Sequence, residues 1–202
     1  MDIFYQVQVR IKHLFLIFSG LHTDLPYYNN TPSTQWLHCI NQFQGEGGEN
    51  EFVDSFAIAE NLRQNFPEIF KILTEKKVAF SDLGYDEVSK TSFYKIRFTP
   101  TIKLNSEGEI EQIYYNNQVR ARILFDKDLY KALKIFDNFM YSKEFLLDYK
   151  LENGDCVVFD NNRVMHGRKG FEISGKSPRI YHGCYVSWDE IWSRMNVIKF
   201  LK

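Results

Sequence analysis

His22 and Asp24 are separated by a single residue. In extended chain, residues i and i+2 point to the same face, so this spacing aims an imidazole and a carboxylate at one point. Those are two of the three ligands of a two-histidine, one-carboxylate metal site, whose open positions suit non-haem Fe(II) oxygenase chemistry. His166 can supply the third. It lies in Phe159-Asp160-Asn161-Asn162-Arg163-Val164-Met165-His166-Gly167-Arg168, after a strand and a polar turn, which sets it at a strand mouth. Arg179 follows thirteen residues later. A fixed guanidinium near a metal suits a dicarboxylate, because it gives two parallel hydrogen bonds to one carboxylate. Taken singly, these residues read as a surface pair, a core histidine and a solvated arginine. Their order along one chain is what points to a site. Zinc at the same triad, activating water, is the competing hydrolase reading.

The elements that must position these residues are legible in part. Gln35, Leu37 and Cys39 alternate with Trp36, His38 and Ile40, which predicts a strand over Thr34–Ile40. A short strand over Glu51–Val53 leads to a helix capped by Asp54 or Ser55. Pro67 breaks that helix and opens a second. Strands are expected at Val78–Phe80, Phe93–Ile102 and Ile110–Tyr115, with Asn105–Gly108 as a turn. Leu129, Leu133, Phe136 and Met140 define one face of a helix over Asp128–Tyr141. Strands follow at Phe145–Leu151, Cys156–Phe159 and Tyr181–Val186. Ser187 and Glu190 then cap a last helix, whose core face is expected at Ile191, Met195 and Ile198. Strands rarely alternate with helices, so a jelly roll with helices packed outside it fits better than a doubly wound sheet.

Composition narrows the class. The 202 residues carry 25 basic and 26 acidic side chains, a balance that argues against generic nucleic-acid or membrane-surface binding. Cys39, Cys156 and Cys184 are too widely spaced for a cysteine metal site and read as reduced thiols. No stretch approaches the 18 apolar residues of a membrane span. Leu14–Phe18, behind Arg10 and Lys12, imitates a signal peptide, but five apolar residues fall short of the roughly 7–15 of a signal core. A buried strand is expected there. A cytoplasmic location is expected, with a mitochondrial address as the alternative.

Ordered blocks across residues 19–201 resemble the Fe(II)- and 2-oxoglutarate-dependent oxygenases of carnitine biosynthesis, the γ-butyrobetaine and trimethyllysine dioxygenases. The blocks include His22-Thr23-Asp24-Leu25-Pro26, Leu37-His38-Cys39-Ile40, Tyr115-Asn116-Asn117, Phe159-Asp160-Asn161, His166-Gly167-Arg168 and Gly183-Cys184-Tyr185. The resemblance implies a mainly β double-stranded β-helix (jelly roll) with helical insertions. It implies that His22, Asp24 and His166 bind Fe(II) and that Arg179 holds 2-oxoglutarate. Asn116 matches a substrate-contacting asparagine, and Tyr185 a tyrosine beside the substrate carboxylate. The implied reaction hydroxylates γ-butyrobetaine to carnitine with O₂, with L-ascorbate as reductant and a small trimethylammonium substrate as partner. Trimethyllysine hydroxylation, or an inactive member that binds metal or a partner without turnover, is the alternative. A homodimer is among the states the family shows.

The departures shape further expectations. Family enzymes carry an N-terminal zinc domain that this sequence lacks. Residues 1–18 form a divergent segment before a catalytic domain at 19–202, so the roll is expected to be incomplete on its N-terminal side. Leu25 replaces an aromatic residue of the γ-butyrobetaine enzyme, and Tyr27 and Tyr28 stand nearby to compensate.

Overall fold

The computed structural model describes residues 7–10, 18–87, 89–122, 126–171 and 178–201. Twelve strands and four helices follow in chain order among them. The strands are β1 (Val7–Arg10), β2 (Ser19–His22), β3 (Thr34–Asn41), β4 (Asn50–Asp54), β5 (Lys77–Asp86), β6 (Thr91–Pro100), β7 (Ile102–Leu104), β8 (Ile110–Ile113), β9 (Leu146–Tyr149), β10 (Cys156–Asp160), β11 (Val164–Arg168) and β12 (Ile180–Val186). The helices are α1 (Ser55–Asn65), α2 (Pro67–Glu75), α3 (Lys127–Met140) and α4 (Trp188–Phe200).

Two four-stranded antiparallel sheets form the roll, in the orders β1-β12-β3-β10 and β2-β11-β4-β9. Eight strands in two sheets is the jelly-roll count. β1 lies inside the segment read as divergent, and it pairs with β12, so the N-terminal side of the roll carries a strand where a gap was expected. Of the expected Leu14–Phe18 strand, residues 14–17 lie outside the described residues, and Phe18 is exposed and outside any strand.

Alternation in the second sheet separates chemistry from packing. Leu21, Val53 and Met165 turn outward into the main core with Ile58 and Leu62 of α1, Leu73 of α2, and Leu129, Leu133, Phe136 and Met140 of α3. The opposite face carries His22, Phe52 and His166, which are register partners across β2, β11 and β4. Period-2 geometry thus makes one set of strands serve the core and the site at once.

The helices start where their caps dictate. Asp54 accepts hydrogen bonds from the amides of Phe56 and Ala57, Asp126 from those of Asp128 and Leu129, and Ser187 from that of Glu190. Pro67 opens α2 as expected. The expectation for α4 fails in one respect. None of its residues is buried, and Met195 and Ile198 are 40% and 47% exposed. Its cap and spacing specify a helix, but its apolar residues (Trp188, Ile191, Trp192, Met195, Val197 and Phe200 among them) spread around the axis and leave no single face to bury. A second difference is the hairpin of β5 and β6, ten residues a side, where a three-residue strand was expected at Val78–Phe80. No helix among the described residues is long and apolar enough to cross a membrane.

Candidate metal centre

His22 ends β2, and His166 lies directly opposite it on β11. The strand-mouth expectation for His166 is therefore corrected. It sits mid-strand, where Gly167 lets β2 come close: a Cβ there would stand 2.8 Å from the Ser19 carbonyl oxygen and 3.2 Å from the Leu21 nitrogen. The two imidazole centroids are 4.4 Å apart. Asp24 reaches between them, with Oδ1 3.2 Å from Nε2 of His22 and Oδ2 3.6 Å from Nε2 of His166. One ligand atom from each of the three lies within 4.8 Å of the others.

His22 and Asp24 are held by hydrogen bonds from behind, and His166 by ring packing. Nδ1 of His22 donates to the Gly20 carbonyl at 2.8 Å, which leaves Nε2 facing the site. Asp24 follows the strand in a turn. Leu25 takes a left-handed φ of 51°, and its carbonyl accepts from the Tyr28 amide. The turn is held by Asn161, which is buried. Its side-chain oxygen accepts from the Asp24 amide at 2.7 Å, and its nitrogen donates to the carbonyls of Asp24 and Pro32. Tyr185 on β12 donates its hydroxyl to Oδ2 of Asp24 at 2.6 Å. The ring of Phe159 packs 4.9 Å from His166.

The electrostatics suit a cation. Burial resists charge on Asp24, but His166, His22 and the Tyr185 hydrogen bond overcome it and hold the carboxyl well below its usual range. Burial pushes His166 down to about 4, with Asp24 opposing and His22 adding repulsion, so its imidazole is neutral at pH 7. Burial also resists charge on His22, but Asp24 and the Gly20 carbonyl raise its pKa. Metals bind ionised carboxylate and neutral imidazole, the states that these surroundings favour for Asp24 and His166. His166 also keeps Nδ1 buried with no hydrogen-bond partner among the described residues. The donor set fits a divalent transition metal.

The triad opens on a cavity of about 270 Å³ that Arg168, Arg179 and Tyr185 also line. Arg179 is 5% exposed. Its guanidinium lies 4.3 Å from the Tyr181 ring centroid and 5.5 Å from that of Phe171, and one nitrogen donates to Asn50. Its Nε and other terminal nitrogen are buried with no partner among the described residues. Desolvated donors without acceptors are costly, so this pocket is built to receive an anion. Burial, then the neighbouring Arg179, depress the pKa of Arg168.

Asn116 lines a different cavity, of about 390 Å³, which meets the first at His22. Its side-chain oxygen accepts from the Gln118 amide and closes a local turn. Tyr185 lies on the arginine-lined cavity, bonded to the Asp24 carboxylate. The sequence reading assigned no role to Asn50, Asn161 or Gln35. All three are buried polar side chains, and Gln35 occupies an inward position of the alternation seen in β3, its oxygen unpartnered among the described residues. A glutamine within an otherwise apolar inward stripe was the available signal.

Comparison with known proteins bears on the family and the fold. A family model described as "Taurine catabolism dioxygenase TauD, TfdA family" matches residues 7–185. The chain is 37% identical over 188 residues to a γ-butyrobetaine dioxygenase of Homo sapiens, covering 89% of this chain and 47% of that protein. It is 31% identical over 183 residues to a trimethyllysine dioxygenase of Meyerozyma guilliermondii, covering 88% and 44%. The chain thus spans about half the length of the curated relatives it matches. A solved taurine dioxygenase from Burkholderia xenovorans shares the fold, with a TM-score of 0.65 at 16% identity over 91% of this chain and 63% of that one.

Proposed function

The chain belongs to the TauD/TfdA dioxygenase family, and on that premise we propose that it is an Fe(II)- and 2-oxoglutarate-dependent dioxygenase that hydroxylates γ-butyrobetaine to carnitine. The observation that carries the reading is the His22, Asp24 and His166 triad on one cavity with the half-satisfied guanidinium of Arg179. The identity to γ-butyrobetaine dioxygenase supports the choice of substrate.

His22, Asp24 and His166 would hold the metal. When bound, Fe(II) supplies O₂ activation coupled to oxidative decarboxylation of 2-oxoglutarate to succinate and CO₂, the second oxygen atom going to the substrate as a hydroxyl. Arg179 receives the distal carboxylate of 2-oxoglutarate, its plane fixed by the rings of Tyr181 and Phe171 and by Asn50. Arg168 adds positive potential to the same pocket. Tyr185 and Asn161 keep Asp24 aimed inward, one through its carboxylate and one through its backbone. Phe159 shields one side of His166 from water. Asn116 contacts the substrate from the second cavity.

The test is succinate formation from 2-oxoglutarate by the purified chain with Fe(II) and L-ascorbate. It is run without substrate, with γ-butyrobetaine and with trimethyllysine. Stimulation by γ-butyrobetaine is expected. Stimulation by trimethyllysine alone transfers the assignment to the other carnitine-pathway reaction. A folded, metal-loaded chain that forms no succinate under any condition overturns the enzyme reading.

A further inference from the structure

The hairpin of β5 and β6 is amphipathic in an inverted sense. Leu83 and its register partner Tyr94 share one face with Ile96 and Phe98, and these four are 75%, 65%, 46% and 62% exposed. Asp82, Lys95 and Arg97 lie on the opposite face, where Phe80 and Thr99 are buried. Local patterning alone turns the apolar face inward, so the reason for the inversion lies in what the charged face touches. It touches the segment that carries Asp24. β2 ends at His22 and β3 begins at Thr34, so residues 23–33 have no strand ladder to hold them. Within that segment Leu25 has a left-handed φ of 51°, a conformation that a non-glycine residue keeps only where its surroundings impose it.

Three contacts from the hairpin reach residues 27–29. The Tyr27 hydroxyl is hydrogen-bonded to Asp82. Nζ of Lys95 stands 4.5 Å from the Tyr28 ring centroid. Arg97 takes hold of backbone. Its guanidinium donates to the carbonyls of Tyr28 at 2.5 Å and Asn29 at 3.1 Å and to the Tyr114 hydroxyl at 3.0 Å, and it lies 4.5 Å from the Tyr114 ring centroid. None of these acceptors is a carboxylate, so the planar fork serves here for its geometry and not for pairing charge. Tyr114 passes the chain of hydrogen bonds to Gln112, which donates to Thr31 and Asn162. Asn162 adjoins Asn161, whose side chain holds the Asp24 backbone. One polar network that starts at Arg97 thus anchors residues 28, 29 and 31.

We infer that Arg97 is a positioning residue for the metal centre: its hold on the Tyr28 and Asn29 carbonyls keeps the turn at Leu25 closed and so keeps Asp24 aimed between His22 and His166. The inference deepens the reading above and rests on it for Asp24 as a metal ligand. The hairpin acts on the triad from outside, since none of the described residues of β5 and β6 lines the triad's cavity. Without the fork, the turn can relax its left-handed residue, and the carboxylate turns away from the two imidazoles.

The test is Mn(II) titration of the full chain followed by electron paramagnetic resonance, with urea denaturation of the same samples. Arg97→Met is expected to weaken Mn(II) binding by about tenfold, the scale for partners that orient metal ligands. Arg97→Lys keeps one reach to a carbonyl and recovers part of that loss. Lys95→Met, which loses only ring contacts, leaves the affinity unchanged. Leu73→Ala truncates a buried side chain of α2, so it lowers the urea midpoint and leaves the affinity of the folded chain unchanged. In an Asp24→Ala background Arg97→Met has no further effect on the residual affinity, a coupling that general loss of stability does not produce. Wild-type affinity in folded Arg97→Met, an equal loss in Leu73→Ala, or an undiminished effect of Arg97→Met in the Asp24→Ala background overturns the inference. If Arg97→Met does not fold, wild-type affinity in Arg97→Lys does so. No Mn(II) binding by the wild type, or wild-type affinity in Asp24→Ala, defeats the triad and the inference with it. Loss of binding in Asp24→Ala with none in Arg97→Met defeats the inference alone.

Discussion

Tyr185 on one sheet donates its hydroxyl to the Asp24 carboxylate, two residues past the end of a strand of the other, at 2.6 Å. Burial and the Asp24 charge push the phenol far above its ordinary range, so it remains a donor at every physiological pH. Removing that donor leaves one lone pair of a buried carboxylate unsatisfied and frees its rotamer. Tyr185→Phe is expected to weaken Mn(II) binding by about tenfold, the scale for partners that orient metal ligands. Titration followed by electron paramagnetic resonance measures this, and an unchanged affinity would show that the hydroxyl does not orient Asp24.

Arg179 is held by stacking as much as by charge. Arg179→Lys keeps the charge but loses the planar fork and the ring contacts, so it is not a mild change here. We expect a rise of about a hundredfold in the KM for 2-oxoglutarate, with Mn(II) affinity preserved, on the scale for losing one partner of a buried charged pair. Arg179→Ala should lose as much or more. Equal loss of metal and of 2-oxoglutarate would place the arginine's role in folding instead.

Gly167 sets the distance between the two histidine strands. The nearest atoms to an added Cβ are backbone, the Ser19 oxygen at 2.8 Å and the Leu21 nitrogen at 3.2 Å, and backbone cannot swing aside as a side chain can. Gly167→Ala must therefore push β2 from β11 and move His22 against His166. The expected cost is about 1–3 kcal/mol of stability, typical of overpacking, together with loss of tight Mn(II) binding. Urea denaturation and metal titration of the same sample check both, and a variant with native stability and affinity would contradict the close approach.

The site was legible where local rules govern it. The H-x-D spacing brings His22 and Asp24 together because β2 ends at His22 and only Thr23 separates the two. The four apolar positions of α3 predicted its buried face, and Asp54, Pro67 and Ser187 marked helix starts. What escaped the sequence depends on distant partners. β11 is short, ends in Arg168 and contains glycine, so Val164–Arg168 carries no alternating pattern and His166 reads as lying beyond a strand. Asn161 satisfies three backbone groups of residues 24 and 32, more than a hundred positions away, and no local pattern encodes that. Asp137 sits on the polar side of an amphipathic helix, where a carboxylate looks solvated, yet it accepts from the hydroxyl of the buried Tyr115. α4 shows the reverse case, a helix fully specified by local signals that buries nothing.

Asp54 joins the start of α1 to the turn that precedes the His166 strand. Its oxygens accept from Arg163 at 3.0 and 2.7 Å and from the amides of Phe56 and Ala57, while the Arg163 carbonyl accepts from the Ser55 amide. Burial works to raise the Asp54 pKa, but the Arg163 hydrogen bonds and charge, with the helix amides, lower it below its ordinary 3.8. The folded state therefore favours the ionised form. The stability this contributes is whole above the unfolded pKa and is lost as pH falls through the depressed folded value. Asp54→Asn keeps a good cap and loses only the ion pair, which is partly exposed and screened. It should cost about 0.5–1 kcal/mol at pH 7 and progressively less towards pH 2. Asp54→Ala also loses the cap, adding about 1 kcal/mol that does remain at pH 2 if the deleted carboxyl still caps when protonated. Urea denaturation of both variants across that range separates the two contributions, since a pH-independent deficit in Asp54→Asn would mean that the Arg163 pair contributes nothing to holding this turn against the helix.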